Sequence, residues 1–169
     1  VIISMVIIWL FFGDLKASLI VGSSIPVSIL ASLILMQLMG FSLNVITLSA
    51  LALGVGMMVD NSTVVLESCF RATDDTGFRE FSKAALNGTG VVYQSVIGST
   101  LTTCVVFLPL AMLGGMTGMM FRPLGFTIVF CMTASLISAI TVVPLCYMIY
   151  KPVERKTAPL SRPVEKMQE

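Results

Sequence analysis

Hydrophobic residues in this chain come in long uninterrupted runs, and short polar stretches punctuate them. A bilayer core about 30 Å thick needs about 20 apolar residues in a helix. Four runs meet that length: Leu15 to Met39, Val45 to Leu66, Val91 to Leu113 and Leu124 to Tyr150. A fifth, Val1 to Phe12, is too short to cross alone and reads as a truncated span. Gly22, Pro26, Gly54, Gly56, Gly98, Pro109 and Pro144 fall inside the runs. Membrane helices tolerate both residue types, so these do not interrupt the helical reading. The pattern predicts an all-α, polytopic transmembrane bundle.

The polar stretches between the runs differ in charge. Lys16 lies in the first, Arg71, Arg79 and Lys83 in the third (residues 67–89), and Lys151, Arg155, Lys156, Arg162 and Lys166 in the tail (151–169). The second stretch has no basic residue and the fourth has only Arg122, so alternate stretches hold nine of the ten basic residues. Basic residues concentrate in cytoplasmic loops. The first, third and fifth stretches are therefore predicted inside, with the tail ending there. Within 67–89, Phe78, Phe81 and Ala85 fall at helical spacing with Arg79, Glu80 and Lys83 on other faces, which predicts a short surface helix in a cytoplasmic loop. Pro152, Pro159 and Pro163 predict an extended or disordered tail.

Composition narrows the class. Of the 169 residues, 56% are hydrophobic and 11% charged, with mean hydropathy +0.98. Soluble domains carry roughly twice that charge. No basic stripe with interleaved aromatics is present, which excludes a nucleic-acid partner. Histidine is absent, removing the commonest transition-metal ligand. Cys69, Cys104, Cys131 and Cys146 form no CxxC pair and read as small packing residues. The twelve methionines read the same way, so no metal site and no cofactor are expected. The chain opens on Val1-Ile2-Ile3 without a basic leader, which is not a signal peptide. It opens inside an apolar run, and a fragment of a longer protein is expected.

Candidate chemistry concentrates at Asp60, the only ionisable side chain in the Val45 to Leu66 run. A carboxylate at membrane depth costs on the order of 3 kcal/mol. On a helix Asp60 shares a face with Gly56, Thr63, Val64 and Glu67, and Gly54 and Gly56 invite close helix approach. Asn61, Ser62 and Thr63 add polar groups by which water could reach Asp60 from the cytoplasmic end, about 9 Å away at Leu66. A carboxyl that alternates between apolar surroundings and a cation binds and releases a proton. The spans' interiors offer no Lys or Arg as that cation. The competing reading makes Asp60 a hydrogen-bonded residue that glues helices together. In the next run, Ser95, Ser99, Thr100, Thr102 and Thr103 form a second polar patch. Backbone bonding is the favoured role there, with Ser99 and Thr103, four apart, as the pair that could line a polar interior.

Gly54 to Arg71, GVGMMVDNSTVVLESCFR, resembles the fourth-span motif of resistance-nodulation-division (RND) efflux permeases. The flanks FSLNVITLSALALGVGMMVDN and FLPLAMLGGMTGMMFRPLGFTIVFCMTASLISAITVVPLCYMIYKP are similar to that family's third-to-sixth-span region. The resemblance covers nearly the whole chain and implies the second through sixth spans, half of an RND membrane domain. It implies a drug or amphiphile exporter in the cell membrane, the inner one in a Gram-negative cell, driven by the proton-motive force. The lipid bilayer, the remaining half of the transporter, a homotrimer and an extracytoplasmic adaptor are the implied partners. By resemblance Asp60 falls on the first acid of the family's proton-relay pair and Asn61 on the second, where many members carry Asp. Beside that pair, Thr63, Ser99 and Thr103 are the candidates, read from the residues themselves, for a supporting polar path. Two rivals remain at this level: a lipid- or protein-export subunit with the same engine, and a structural membrane module without transport.

Overall fold

A computed structural model describes residues 2–12, 14–75 and 81–151. Among them there are five helices and no strand: α1 (Ile2–Phe12), α2 (Leu15–Leu38), α3 (Val45–Asp75), α4 (Phe81–Ala111) and α5 (Gly115–Tyr150). Residues Leu15–Leu38, Val45–Thr73, Phe81–Ala111 and Gly115–Tyr150 make four helical segments long and apolar enough to cross a membrane. The fold is an all-α membrane helix bundle, as the hydrophobic runs predict.

Local sequence sets the turns. Asp14 caps α2, its carboxylate accepting from the Lys16 amide at 3.0 Å. At the other end Gly40 adopts φ +74, a left-handed conformation that suits glycine. The Gly40 amide donates to the Gln37 carbonyl and the Phe41 amide to Met36, closing a Schellman turn. Phe41 then packs on Met36, Leu51, Met58 and Cys131. Asn44 and Thr47 cap α3 reciprocally. The Thr47 amide donates to Asn44 Oδ1 at 2.9 Å and the Asn44 amide to Thr47 Oγ1 at 2.8 Å.

Two polar stretches read as connections are largely helical. Residues 67–75 continue α3 and 81–89 begin α4, so the short surface helix expected within 67–89 is instead the first turns of a 31-residue helix. Such a helix is about 46 Å long, longer than the hydrocarbon core. Its backbone bonding does not stop where the apolar run does. Phe78, Arg79 and Glu80 lie outside the described residues, as does the tail beyond Lys151. The 114–123 stretch is likewise mostly α5: Gly114 and Gly115, the latter at φ +69, complete the turn from α4. Pro123 sits within α5, where its carbonyl accepts from Thr127 Oγ1 at 2.7 Å.

Helix α5 is central, packing against α2, α3 and α4. The largest buried cluster joins Ile20 and Val21 of α2, Val65, Leu66 and Phe70 of α3, and Val143 and Tyr147 of α5. Phe70 meets Tyr147 edge-on with ring centres 5.4 Å apart, and Thr73 Oγ1 lies 2.6 Å from the Tyr147 hydroxyl. Close approach depends on glycine at two crossings. A Cβ on Gly54 would lie 3.0 Å from Cys131 Cβ, and one on Gly88 only 2.7 Å from Cys69 Cα and the Ser68 carbonyl oxygen. The four cysteines are free, with Cys69 and Cys131 buried in these contacts. The outer surface is apolar: Leu101, Val105, Val106 and Ile137 are each more than 60% exposed. A continuous apolar exterior of this kind suits a lipid or helix environment.

Candidate functional site

Asp60 sits near the middle of α3 on its outward face. It is exposed, as are Gly56, Val64, Glu67 and Arg71 at successive turns along the same stripe. That is the face the helical spacing assigns to it. A Cβ on Gly56 would meet nothing within 4 Å, whereas Gly54 packs on α5. Of the two glycines expected to admit a neighbouring helix, Gly54 does so inside this bundle and Gly56 leaves open space beside the carboxylate. Thr63 Oγ1 donates to the main-chain carbonyl of Asp60 at 2.9 Å, so this hydroxyl is tied to the backbone while its lone pairs stay available.

Towards the end of the helix that carries Glu67 and Arg71, the same stripe borders an open groove of about 540 Å³ between α3 and α4. Val64, Val91 and Val92 give it apolar walls, and Glu67, Ser68, Arg71 and Asn87 line it with polar groups. Arg71 donates to Glu67 one turn before it at 2.5 Å, both side chains well exposed. Val64, one turn from Asp60, belongs to the groove. A continuous surface therefore runs from the polar end of α3 to within a turn of the carboxylate.

Asn61 points the other way. It is 6% exposed, and its Nδ2 donates to Thr100 Oγ1 on α4 at 3.2 Å and to Ser135 Oγ on α5 at 3.4 Å. Ser62, also buried, shares a hydrogen bond with Ser24 on α2 at 2.9 Å. Asn61 thus bonds across the bundle, facing away from Asp60, because consecutive residues project about 100° apart on a helix.

Ser99 and Thr103 do not join Asp60 through any hydrogen bond among the described residues. The Ser99 hydroxyl donates to the Val96 carbonyl at 3.1 Å and that of Thr103 to the Ser99 carbonyl at 3.0 Å. Both serve their own helix, the favoured role for this patch. The residue of the patch that faces inward is Thr100, 2% exposed and one turn from the buried Val96. Sequence reading missed the buried Ser135, and also Ser24, whose carbonyl accepts from Ser28 and Ser138 and whose hydroxyl meets Ser62. The spacing of Ser24, Ser28 and Ser32 at every fourth position of α2 was the available signal, since small residues at that spacing mark helix contacts. No cluster of three or more Cys, Asp or Glu side chains able to hold a metal occurs among the described residues.

Comparison with known proteins agrees with this architecture. The swarming motility protein SwrC of Bacillus subtilis is 40% identical over 154 residues, covering 89% of this chain and 14% of SwrC. The toluene efflux pump membrane transporter TtgE of Pseudomonas putida is 32% identical over 155 residues, 91% of this chain and 15% of TtgE. The multidrug resistance protein MdtC of Salmonella arizonae is 35% identical over 162 residues, 95% of this chain and 16% of MdtC. The chain thus spans about one sixth or less of the length of these relatives. All of it, residues 1–169, matches the sequence profile of the AcrB/AcrD/AcrF family. With four membrane-length helices, and with the acidic motif in the second of them, the chain belongs to the AcrB/AcrD/AcrF family of RND permeases.

Proposed function

We propose that this chain forms part of the membrane domain of a proton-driven exporter in which Asp60 takes up and releases the transported proton. The observation that carries the reading is the placement of the one ionisable group of the Val45–Leu66 run. Asp60 lies on an exposed helix face, beside the open space at Gly56 and a turn from a groove with a polar end. A carboxyl gluing these helices to one another would instead be buried against a donor among them. In this bundle Asn61 and Ser62 have that role.

In this reading the basic end of the bundle is cytoplasmic, and protons exchange with that side along the α3–α4 groove, with Thr63 available to water beside Asp60. The remaining half of the transporter covers the Asp60 face and supplies the cation that holds the carboxylate charged. Movement of that cation away leaves apolar surroundings, which favour the neutral acid. Helix tilting linked to this cycle drives export of drugs or other amphiphilic compounds by antiport. The working assembly is a homotrimer with an extracytoplasmic adaptor, in the cell membrane. TtgE and MdtC, named for toluene efflux and multidrug resistance, support an amphiphilic load. SwrC is named for swarming motility. That name speaks of no drug, which leaves the same engine serving a lipid or protein load as a second reading.

The test is Asp60→Asn in the full-length transporter, reconstituted in vesicles with an imposed pH gradient. Asn keeps size and hydrogen bonding but cannot titrate. Ethidium efflux driven by the gradient is expected from the wild type and lost in the variant at unchanged abundance. Retained efflux would overturn the proton role of Asp60. A wild type that moves no ethidium would count against drug export and for the second reading.

A further inference from the structure

We propose that Asn61 is a positioning residue, whose amide is held by Thr100 and Ser135 so that α3 is locked in the rotation that turns Asp60 outward. The proposal rests on the proton role of Asp60 given above and adds how that carboxyl is aimed.

The lock is visible in the bonds on either side of Asp60. Asn61 Nδ2 reaches Thr100 Oγ1 and Ser135 Oγ, and the Ser135 hydroxyl donates onward to the Met58 carbonyl at 3.3 Å. Met58 and Asn61 both belong to α3 and bracket Asp60, so a single serine of α5 grips the helix on both sides of the carboxylate. One residue further, Ser62 meets Ser24 of α2, and Ser138 of α5 donates to the Ser24 carbonyl at 3.4 Å. Three neighbouring helices therefore hold α3, through the Met58 carbonyl and the Asn61 and Ser62 side chains, within two residues of Asp60.

Each of these groups is nearly inaccessible: Asn61 is 6%, Ser62 2%, Thr100 2% and Ser135 1% exposed. Turning α3 by one residue's angle would carry Asp60 into this seam and strand buried polar groups without partners, which is unfavourable in a dry interior. Gly54 against Cys131 fixes the same α3–α5 approach a turn and a half earlier. The amide suits the seam chemically. Asn offers N–H donors to two hydroxyls at once, whereas an ionised carboxylate offers only acceptors and would compete for the Ser135 proton given to Met58.

The test measures the orientation of Asp60 directly, in the full-length transporter in vesicles. A hydrophobic carbodiimide modifies protonated carboxyls, and mass spectrometry follows its rate at Asp60, normalised to folded protein. Asn61→Ala and Thr100→Val should each change that rate severalfold in the same direction. Their combination should change it no more than Asn61→Ala alone, since that variant already removes the link that Thr100→Val breaks. Thr100→Ser, which keeps the hydroxyl, should restore the wild-type rate. Ser135→Ala should behave as Asn61→Ala does. If Thr100→Val and Ser135→Ala leave the rate unchanged while Asn61→Ala alters it, Asn61 acts in the proton path itself and the lock is refuted. If all variants label at the wild-type rate and differ only in abundance, Asn61 is packing alone and the lock is again refuted. Proton-driven efflux retained in Asp60→Asn would sink the proton reading and leave the labelling result standing as a statement about helix rotation.

Discussion

Asp60 and Asn61 are adjacent in sequence yet have opposite surroundings, a difference that their resemblance to an acidic pair does not suggest. A single helical step separates an exposed carboxyl from an amide buried among hydroxyls. The helical wheel was enough to place Asp60 with Gly56, Val64 and Glu67, because that stripe follows from periodicity alone. The partners of Asn61 could not be read, since they lie 39 and 74 residues away on other helices. Within the α4 patch, the choice between Ser99 with Thr103 and Thr100 depended on which face of a nearly uniformly apolar helix was buried. Glu67 and Arg71 make the opposite case. Their pair was legible from i, i+4 spacing, yet both side chains are exposed, and such pairs contribute at most about 0.5 kcal/mol. Glu67→Gln in the full-length transporter should therefore leave its thermal midpoint in detergent nearly unchanged. A drop of several degrees would mean that Glu67 bonds to something beyond Arg71.

At the scale of elements, the runs located every helix but misjudged where three of them stop or start. Hydropathy registers where the bilayer core ends; hydrogen bonding along the backbone decides where a helix ends. The capped turns at Gly40 and Asn44 were sharp in both senses, and there the expected limits of α2 and α3 hold to within a residue. Near the polar end of the bundle no such stop occurs, and α3 and α4 run on as paired helices. Their crossing is set by Gly88, whose carbonyl accepts from Ser68 Oγ at 2.7 Å. Because any Cβ there would strike backbone atoms of Ser68 and Cys69, relief requires the helices to separate. Gly88→Ala should destabilise the protein by about 1–3 kcal/mol, as overpacking does. Gly90 lies two residues on, exposed, with nothing within 4 Å of a Cβ, so Gly90→Ala should be neutral or stabilising. Thermal midpoints of the two variants, measured side by side, check the contrast. Equal losses would place the sensitivity in the helix and not in the crossing.

For the whole molecule, the central position of α5 was not deducible from the order of apolar runs, since each run is equally hydrophobic to its lipid and its helix neighbours. Small residues decide it: Ala134, Ser135, Ser138 and Ala139 are all buried where α5 meets its neighbours. The direction in which the bundle sits across the bilayer rests on charge instead. Lys16, Arg71, Lys83 and Lys151 gather at the end where α2 and α4 begin and α3 and α5 finish, and Arg122 lies towards the other. The first end is expected to be cytoplasmic. Cys69, the natural reporter for that end, is fully buried and would resist labelling from either side. Introduced cysteines are the better probe. Ser82 and Thr117 are exposed near opposite ends of the bundle. In intact cells expressing the full-length transporter, a membrane-impermeant maleimide added outside should label Thr117→Cys and spare Ser82→Cys. Ser82→Cys should react once the cells are broken open, and the unsubstituted full-length protein provides the blank for its native thiols. Labelling of Ser82→Cys from outside would invert every span. The groove beside Asp60 would then open away from the cytoplasm, and the proposed route for proton exchange with that side would fall with it.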